Sequence, residues 1–178
     1  MDDHWFRLGD RGRYHAQVHF SETQMKTPTF WKLSQGGDAF THSDMLDSID
    51  SRLVYVHGNT GSMGGSDVSQ GENFRTASIG DYFYLTYKNR GIYLLGQFSG
   101  PANVFSKRGN GWLDRPFRYI RPAAEIRKYT GDAKWWTPNH NSTFTIVPDD
   151  ELGLFQDFIL TPHFDLNLSD FGISTENA

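Results

Sequence analysis

Trp112 lies in "KRGNGWLDRP", and Trp135 and Trp136 lie in "DAKWWTPNHN". Both segments are polar and loop-like in composition, whereas core tryptophans normally have apolar neighbours. An indole face beside lysine and arginine suits a flat, anionic ligand. A single-stranded or flipped nucleobase gains about 1–3 kcal/mol from stacking on such a face, while nearby cations hold its phosphates. The cations are present. Residues 107–134 contain eight of the seventeen Lys and Arg and only three acids, although the whole chain carries a formal net charge of −4. Binding by a patch depends on this local charge rather than on the overall balance. A solvated basic face on an ordinary protein is the plain alternative. The expected phosphate contacts are Lys107, Arg108, Arg115, Arg118 and Arg121.

Catalytic chemistry finds less support. The chain has no cysteine, which excludes disulfides, thiolate metal sites and thiol nucleophiles. Seven histidines are scattered, and the nearest pair, His15 and His19, lies in "YHAQVHF", which reads as a strand. "GNTGSMGG" lacks the Lys-Ser/Thr of a phosphate-binding loop, and "GGSDVSQG" is not a nucleophile elbow. No acid pair stands out. The expectation is a binding module without enzymatic activity, metal or cofactor.

Elements must hold these residues in place. The length of 178 residues suits one domain with a sizeable core. Aromatic residues make up 15% of the chain, enough to fill an all-β core or to build a site for a planar ligand. "TPTFWKLS" reads as a buried strand, with Trp31 in the core, and "QGG" as a turn. Thr41 or Ser43 can cap a short helix that turns Met45, Leu46 and Ile49 inward. "RLVYVH" is a second strand. Residues 58–73 form a long glycine-rich loop, of the kind that is usually functional or disordered.

"GDYFYLTYKNRGIYLLGQFSGP" reads as a central hairpin. Both faces of its first strand are apolar or aromatic, so it should be covered twice. Asn89 and Gly91 are placed to supply positive φ in the turn, and Gly96 suggests a bulge or a close backbone approach. "FRYIR" and "TFTIV" are further strands. "PDDELGLFQDFIL" reads as an amphipathic helix with acids at its positive end and Leu152, Phe155 and Ile159 inward. The fold class expected is α+β, a small open β-barrel with a few flanking short helices. The domain should span 27–165, after an N-terminal extension over 1–26 and before a linker over 166–178. No apolar run is long enough for a membrane span, and "MDDHWFRLGDRGRYH" has no signal-peptide core, so a cytoplasmic location is expected.

The order "FWKLSQGG", short helix, "RLVYVHGN", variable loop, "IGDYFYLTYKNRGIYLLGQFSG", "FRYIRP" resembles the EVE and YTH-like branch of the PUA-like superfamily. It is most similar to the N-terminal recognition domains of McrB-type modification-dependent restriction systems, over about residues 28–147. The opening "WKI-(S/A)-PG" strand of those domains corresponds to 30–36, their "GD" strand to 80–86, and their return strand, loosely, to 91–100. The resemblance implies a PUA-like domain that holds a modified base, flipped out of duplex DNA, in an aromatic cage. It also implies a motor or nuclease partner of a restriction or defence system outside this chain. Family members carry a Trp just after the second strand, where this chain has "VHGNTG", so His57, Gly58 or Asn59 stands in its place. The cage expected is therefore Trp112, Trp135 and Trp136 with His57 and Asn59. Tyr82, Tyr84 or Tyr93 would line it from below, and the 58–73 loop would fill the space the base vacates. An RNA-binding PUA-like domain and a protein-interaction module without nucleic-acid binding remain the alternatives.

Overall fold

The computed structural model describes residues 27–37, 39–63 and 66–174. The expected N-terminal extension, including "YHAQVHF", lies outside the described residues. Six strands carry the fold: β1 (Phe30–Gln35), β2 (Leu53–His57), β3 (Tyr82–Tyr87), β4 (Ile92–Phe98), β5 (Trp112–Pro122) and β6 (Phe144–Ile146). They form one curled mixed sheet, a half-barrel, in the order β2-β5-β4-β3-β1-β6. β1 and β3 run parallel, in register from Phe30 opposite Tyr82 to Gln35 opposite Tyr87, and every other pairing is antiparallel. The α+β class and the central position of the hairpin are as expected.

The sheet has two covered faces. Trp31, Leu33, Phe83, Leu85, Leu94, Phe98 and Phe117 point to the concave side, where they pack with Met45, Val54, Val56, Phe74 and Phe144. Phe30, Tyr84, Ile92 and Leu95 point to the other side, under Trp136, Leu152, Phe155, Ile159 and Leu160. This is the period-two alternation of a strand buried on both faces. Gly96 sits at a register shift in the β4–β5 ladder, and a Cβ there would lie 2.5 Å from the Phe83 ring. Both readings offered for that glycine, bulge and close approach, hold.

Helix α1 (His42–Ser51) is capped by Thr41 in a reciprocal capping box with Asp44. It buries Met45, half-buries Ile49 and leaves Leu46 exposed, which corrects the expected stripe. At the hairpin turn the left-handed residue is Lys88, with φ 49°, rather than Asn89 or Gly91. The Thr86 hydroxyl supports that turn by donating to the carbonyls of Lys88 and Gly91.

The expected 58–73 loop is shorter than its composition implies, because Gln70–Thr76 forms helix α2 between the two edge strands β2 and β6. Gln70 is buried and ties three segments together. Its amide nitrogen donates to the Gly61 carbonyl at 2.9 Å, and its oxygen accepts from the main-chain nitrogens of Thr143 and Phe144. Gly71 sits so close to Gly58 that a Cβ on it would lie 2.2 Å from the Gly58 oxygen.

The C-terminal helix is three types in succession: 3-10 (Asp149–Glu151), α3 (Leu152–Phe155) and a π-helix (Gln156–Phe164). The inward stripe of Leu152, Phe155 and Ile159 is buried as expected. The chain does not loosen at 166. Leu168–Phe171 forms a 3-10 turn boxed by Asn167 and Asp170, Leu168 is buried, and Phe171 packs edge-on against Phe30 and Tyr82. Packed structure therefore continues past the expected boundary at 165. No helix among the described residues is long and apolar enough to cross a membrane.

Candidate binding site

One cavity of about 340 Å³ opens at the end of β1, between Ser34–Gly37, Phe40, Tyr55 and His57 of the neighbouring elements, Trp112 and Thr143. Trp112 is the first residue of β5, opposite His57 at the last position of β2, so the β2–β5 ladder brings the two rings together. Their centroids are 5.5 Å apart and their planes cross at 86°. Phe40 lies 5.4 Å from Trp112 and 5.8 Å from Tyr55, completing a wall of four rings. Burial raises the Tyr55 phenol, Asp114 adds to this, and Arg108 opposes it.

The imidazole is fixed at both nitrogens. Nδ1 accepts from the Asn59 main chain at 3.2 Å, so Nε2 carries the hydrogen and donates to the Asn110 carbonyl at 2.7 Å. Asn59 thus takes part through its backbone, with its side chain outside the cavity wall. The Gly58 nitrogen donates to the Gly111 carbonyl at 2.8 Å, which joins the turn after β2 to the loop before Trp112.

Behind the wall, the Arg108 guanidinium lies 4.9 Å over Trp112 and 4.5 Å over Phe40. It also pairs with Asp44 at 3.3 Å and donates to the Ala39 carbonyl. The Arg108 hydrogen bond is the main cause that lowers the Asp44 carboxyl to about 2, followed by the backbone and hydroxyl of Thr41. Arg108 is therefore a clamp on the rings, not the free phosphate contact expected of it.

Several other expected site residues lie elsewhere. Tyr84 is fully buried on the far face of the sheet, where its hydroxyl donates to the Trp136 carbonyl. Tyr82 shares that face, at the opposite end of β3 from the cavity, stacked 5.6 Å from Phe30. Strand alternation puts both tyrosines outside the concave side. Trp136 is 1% exposed, packs against Phe155, and donates its indole hydrogen to Glu151. It is a core residue. Trp135 beside it is 49% exposed and meets His140 edge-on at 4.3 Å, away from the Trp112 wall. Tyr93 is half-buried near His42, to which it is hydrogen-bonded at 2.9 Å.

Arg115 is 1% exposed. It points to the concave side, donates to the carbonyls of Phe74, Ala77 and Gly100, and lies 4.1 Å over the Phe98 ring. It cannot reach a phosphate. Arg121 donates to the carbonyls of Phe164 and Asp165 at the end of the π-helix. Arg121 is nevertheless exposed, as are Lys107 and Arg118.

Sequence reading missed Phe40 and Tyr55 as walls, and it missed Lys32. The Lys32 ammonium is fully buried and donates to the carbonyls of Thr137 and His140 and to the Ser142 hydroxyl, at 2.7–2.8 Å. Burial lowers it to about 7. It fastens the 137–142 segment to β1. That segment walls a second cavity of about 350 Å³, which shares Ser34, Gly36 and Thr143 with the first. Among the described residues, no group of three or more His, Asp or Glu is placed to hold a metal ion.

No protein-family model matches the chain, and no curated protein matches it. Among solved structures, protein Atu2648 from Agrobacterium tumefaciens is similar with a TM-score of 0.42 and 12% identity, over 83% of this chain and 95% of that one. At that level the likeness carries no function across.

Proposed function

We propose that this chain is a nucleic-acid-binding module of the PUA-like, EVE/YTH-like kind. It holds a modified base, flipped out of duplex DNA, in the Trp112–His57 cavity, and it targets a restriction or defence enzyme. The observation that carries this reading is the wall of four rings around a cavity of about 340 Å³, stiffened from behind by Arg108. That volume sits at the small end of ligand pockets, which run from about 300 to 1,000 Å³, and suits one planar group. Trp112 offers the stacking face. The tautomer of His57 is set by its own main-chain partners, so the ring is held still before any ligand arrives. An added methyl group buried against Phe40 or Tyr55 is worth about 0.8 kcal/mol, or about fourfold in affinity. Flipping costs a few kcal/mol, which stacking and backbone contacts must offset.

The test is a panel of matched duplexes, unmodified or carrying methyladenine, methylcytosine or hydroxymethylcytosine. One modified duplex should bind at least about fourfold more tightly than its unmodified match, and Trp112→Ala should erase the difference. Equal binding of all four, or no binding of any, overturns the reading.

A further inference from the structure

We propose that Phe105, at the tip of the loop between β4 and β5, is a wedge that enters the base stack of duplex DNA and fills the place a displaced base leaves. This rests on the reading of the Trp112–His57 cavity as a base pocket, and it adds the residue that keeps the duplex open beside it. Phe105 is 88% exposed, the most exposed large apolar side chain among the described residues, and Val104 before it is half exposed.

A lone exposed ring is ordinary where the chain beneath it is loose. Here the chain is anchored on both sides. Asn103 and Asp114 exchange main-chain hydrogen bonds at 2.7 and 3.2 Å, which ties the first arm of the loop to β5. The Asn103 side-chain oxygen accepts from the Phe105 main chain at 3.0 Å. On the other side Ser106 is buried. Its carbonyl accepts from the Gly109 nitrogen at 2.9 Å, and its hydroxyl from the Arg108 nitrogen at 3.3 Å. Two apolar residues are thus held out in water on a fixed base, so little ordering entropy is left to lose when the ring is covered.

Charge and area select the occupant. Residues 101–111 carry Lys107 and Arg108 and no acid, which suits an anionic partner. A phenyl ring buries about 150–250 Å² at most, far below the roughly 800 Å² that each side of a stable protein interface contributes. A base step asks for no more than one ring. Proteins that deform duplexes slip a single Phe, Leu or Ile between bases while cations hold the backbone. The position fits as well. Three residues after Phe105, the Arg108 guanidinium lies over Trp112 and Phe40, two walls of the cavity. Cα atoms three residues apart are separated by at most about 11 Å, so wedge and pocket share one anchored loop. The 58–73 segment, expected in this role, has no aromatic residue and is drawn in where Gly71 meets Gly58.

The experiment separates wedge from pocket with a duplex that offers a vacancy and no base to hold. Affinities of the wild type, Phe105→Ala, Phe105→Trp and Trp112→Ala are measured for matched duplexes that are intact, carry methyladenine or methylcytosine, or carry one abasic site. The wild type should prefer the abasic duplex to the intact one. Phe105→Ala should melt as the wild type does and lose about five- to 150-fold in affinity for the abasic duplex, the worth of one stacked base. Phe105→Trp should keep that affinity, and Trp112→Ala should bind the abasic duplex as the wild type does. Wild-type affinity of Phe105→Ala for the abasic duplex overturns the wedge without touching the base pocket. Abasic binding that depends on Phe105, with no preference for either methylated duplex, supports the wedge and removes the pocket reading. Absence of binding to every duplex overturns both. So does Phe105-dependent uptake by vesicles of phosphatidylcholine and phosphatidylserine without DNA binding, which would make the tip a lipid contact.

Discussion

Replacing Arg115 by Met should unfold the protein more readily while leaving its exposed charge in place. The guanidinium carbon lies 6.0 Å over the Phe74 ring and 4.1 Å over the Phe98 ring, and methionine sets an apolar side chain against the same rings in its place. What it removes is the guanidinium, which serves three main-chain carbonyls, those of Phe74, Ala77 and Gly100. Each acceptor stranded in the interior costs about 1–3 kcal/mol. Removal of the charge's own burial cost offsets part of this, because desolvation already lowers Arg115 to about 10. A net loss of about 3–5 kcal/mol is expected. That is a large share of the roughly 5–15 kcal/mol that domains possess. For a chain of this length it corresponds to a Tm lower by about 6–20 °C. Urea and thermal melts followed by tryptophan fluorescence would measure it, with Arg118→Met as the exposed control, expected within about 0.5 kcal/mol of wild type. A wild-type melt for Arg115→Met, with loss of polyanion binding instead, would refute the structural role and restore Arg115 to the phosphate contacts.

Trp136→Ala and Trp112→Ala should separate: the first should lose about 3–5 kcal/mol of stability, and the second should keep a cooperative melt while losing about five- to 150-fold in affinity for a modified duplex. Stability should rise from pH 7 toward pH 10 through Lys32. Its folded value of about 7 lies below the unfolded one of about 10.4, so the unfolded chain binds the extra proton in that window. Urea midpoints at pH 7, 8 and 9 should climb in the wild type and climb less in Lys32→Met. If about three to five phosphates are neutralised, log K should fall against log salt with a slope of about −3 to −4.5, and a slope near zero would remove the nucleic-acid reading.

Much of the scaffold was legible because two signals agreed. β3 is apolar at nearly every position, which only a strand covered on both faces tolerates, and it lies in the middle of the sheet. Alternation also put Tyr82 and Tyr84 on one face correctly, but period two does not say which face fronts a cavity. That depends on which side the C-terminal helix covers. Arg115 carried a signal that went unused. Leu113, Arg115 and Phe117 share one face of β5, so an arginine between two buried apolar residues points inward. Lys32 carried a similar one, between Trp31 and Leu33 on a strand with two buried faces. Trp135 and Trp136 could not be told apart, because neighbours in a loop point in directions set by tertiary partners, here Glu151 and Phe155 for one and His140 for the other. His57 was readable at the end of the strand "RLVYVH", whereas Trp112 was expected in a loop before "FRYIR" and instead heads β5, which starts five residues earlier than that motif.

The close approach of Gly71 to Gly58, with the Gln70 amide bridging Gly61 to the start of β6, acts as a weld at the neck of the segment between them. Chain length beyond a weld is cheap: doubling a flexible loop costs only about 0.6 kcal/mol in closure entropy. Reach is gained at up to about 3.3–3.6 Å per added residue. Insertions or deletions between Gly61 and Ser69 should therefore change how far this arm extends without moving His57, Thr60 or Thr143. The cavity wall and the length of this segment can vary separately.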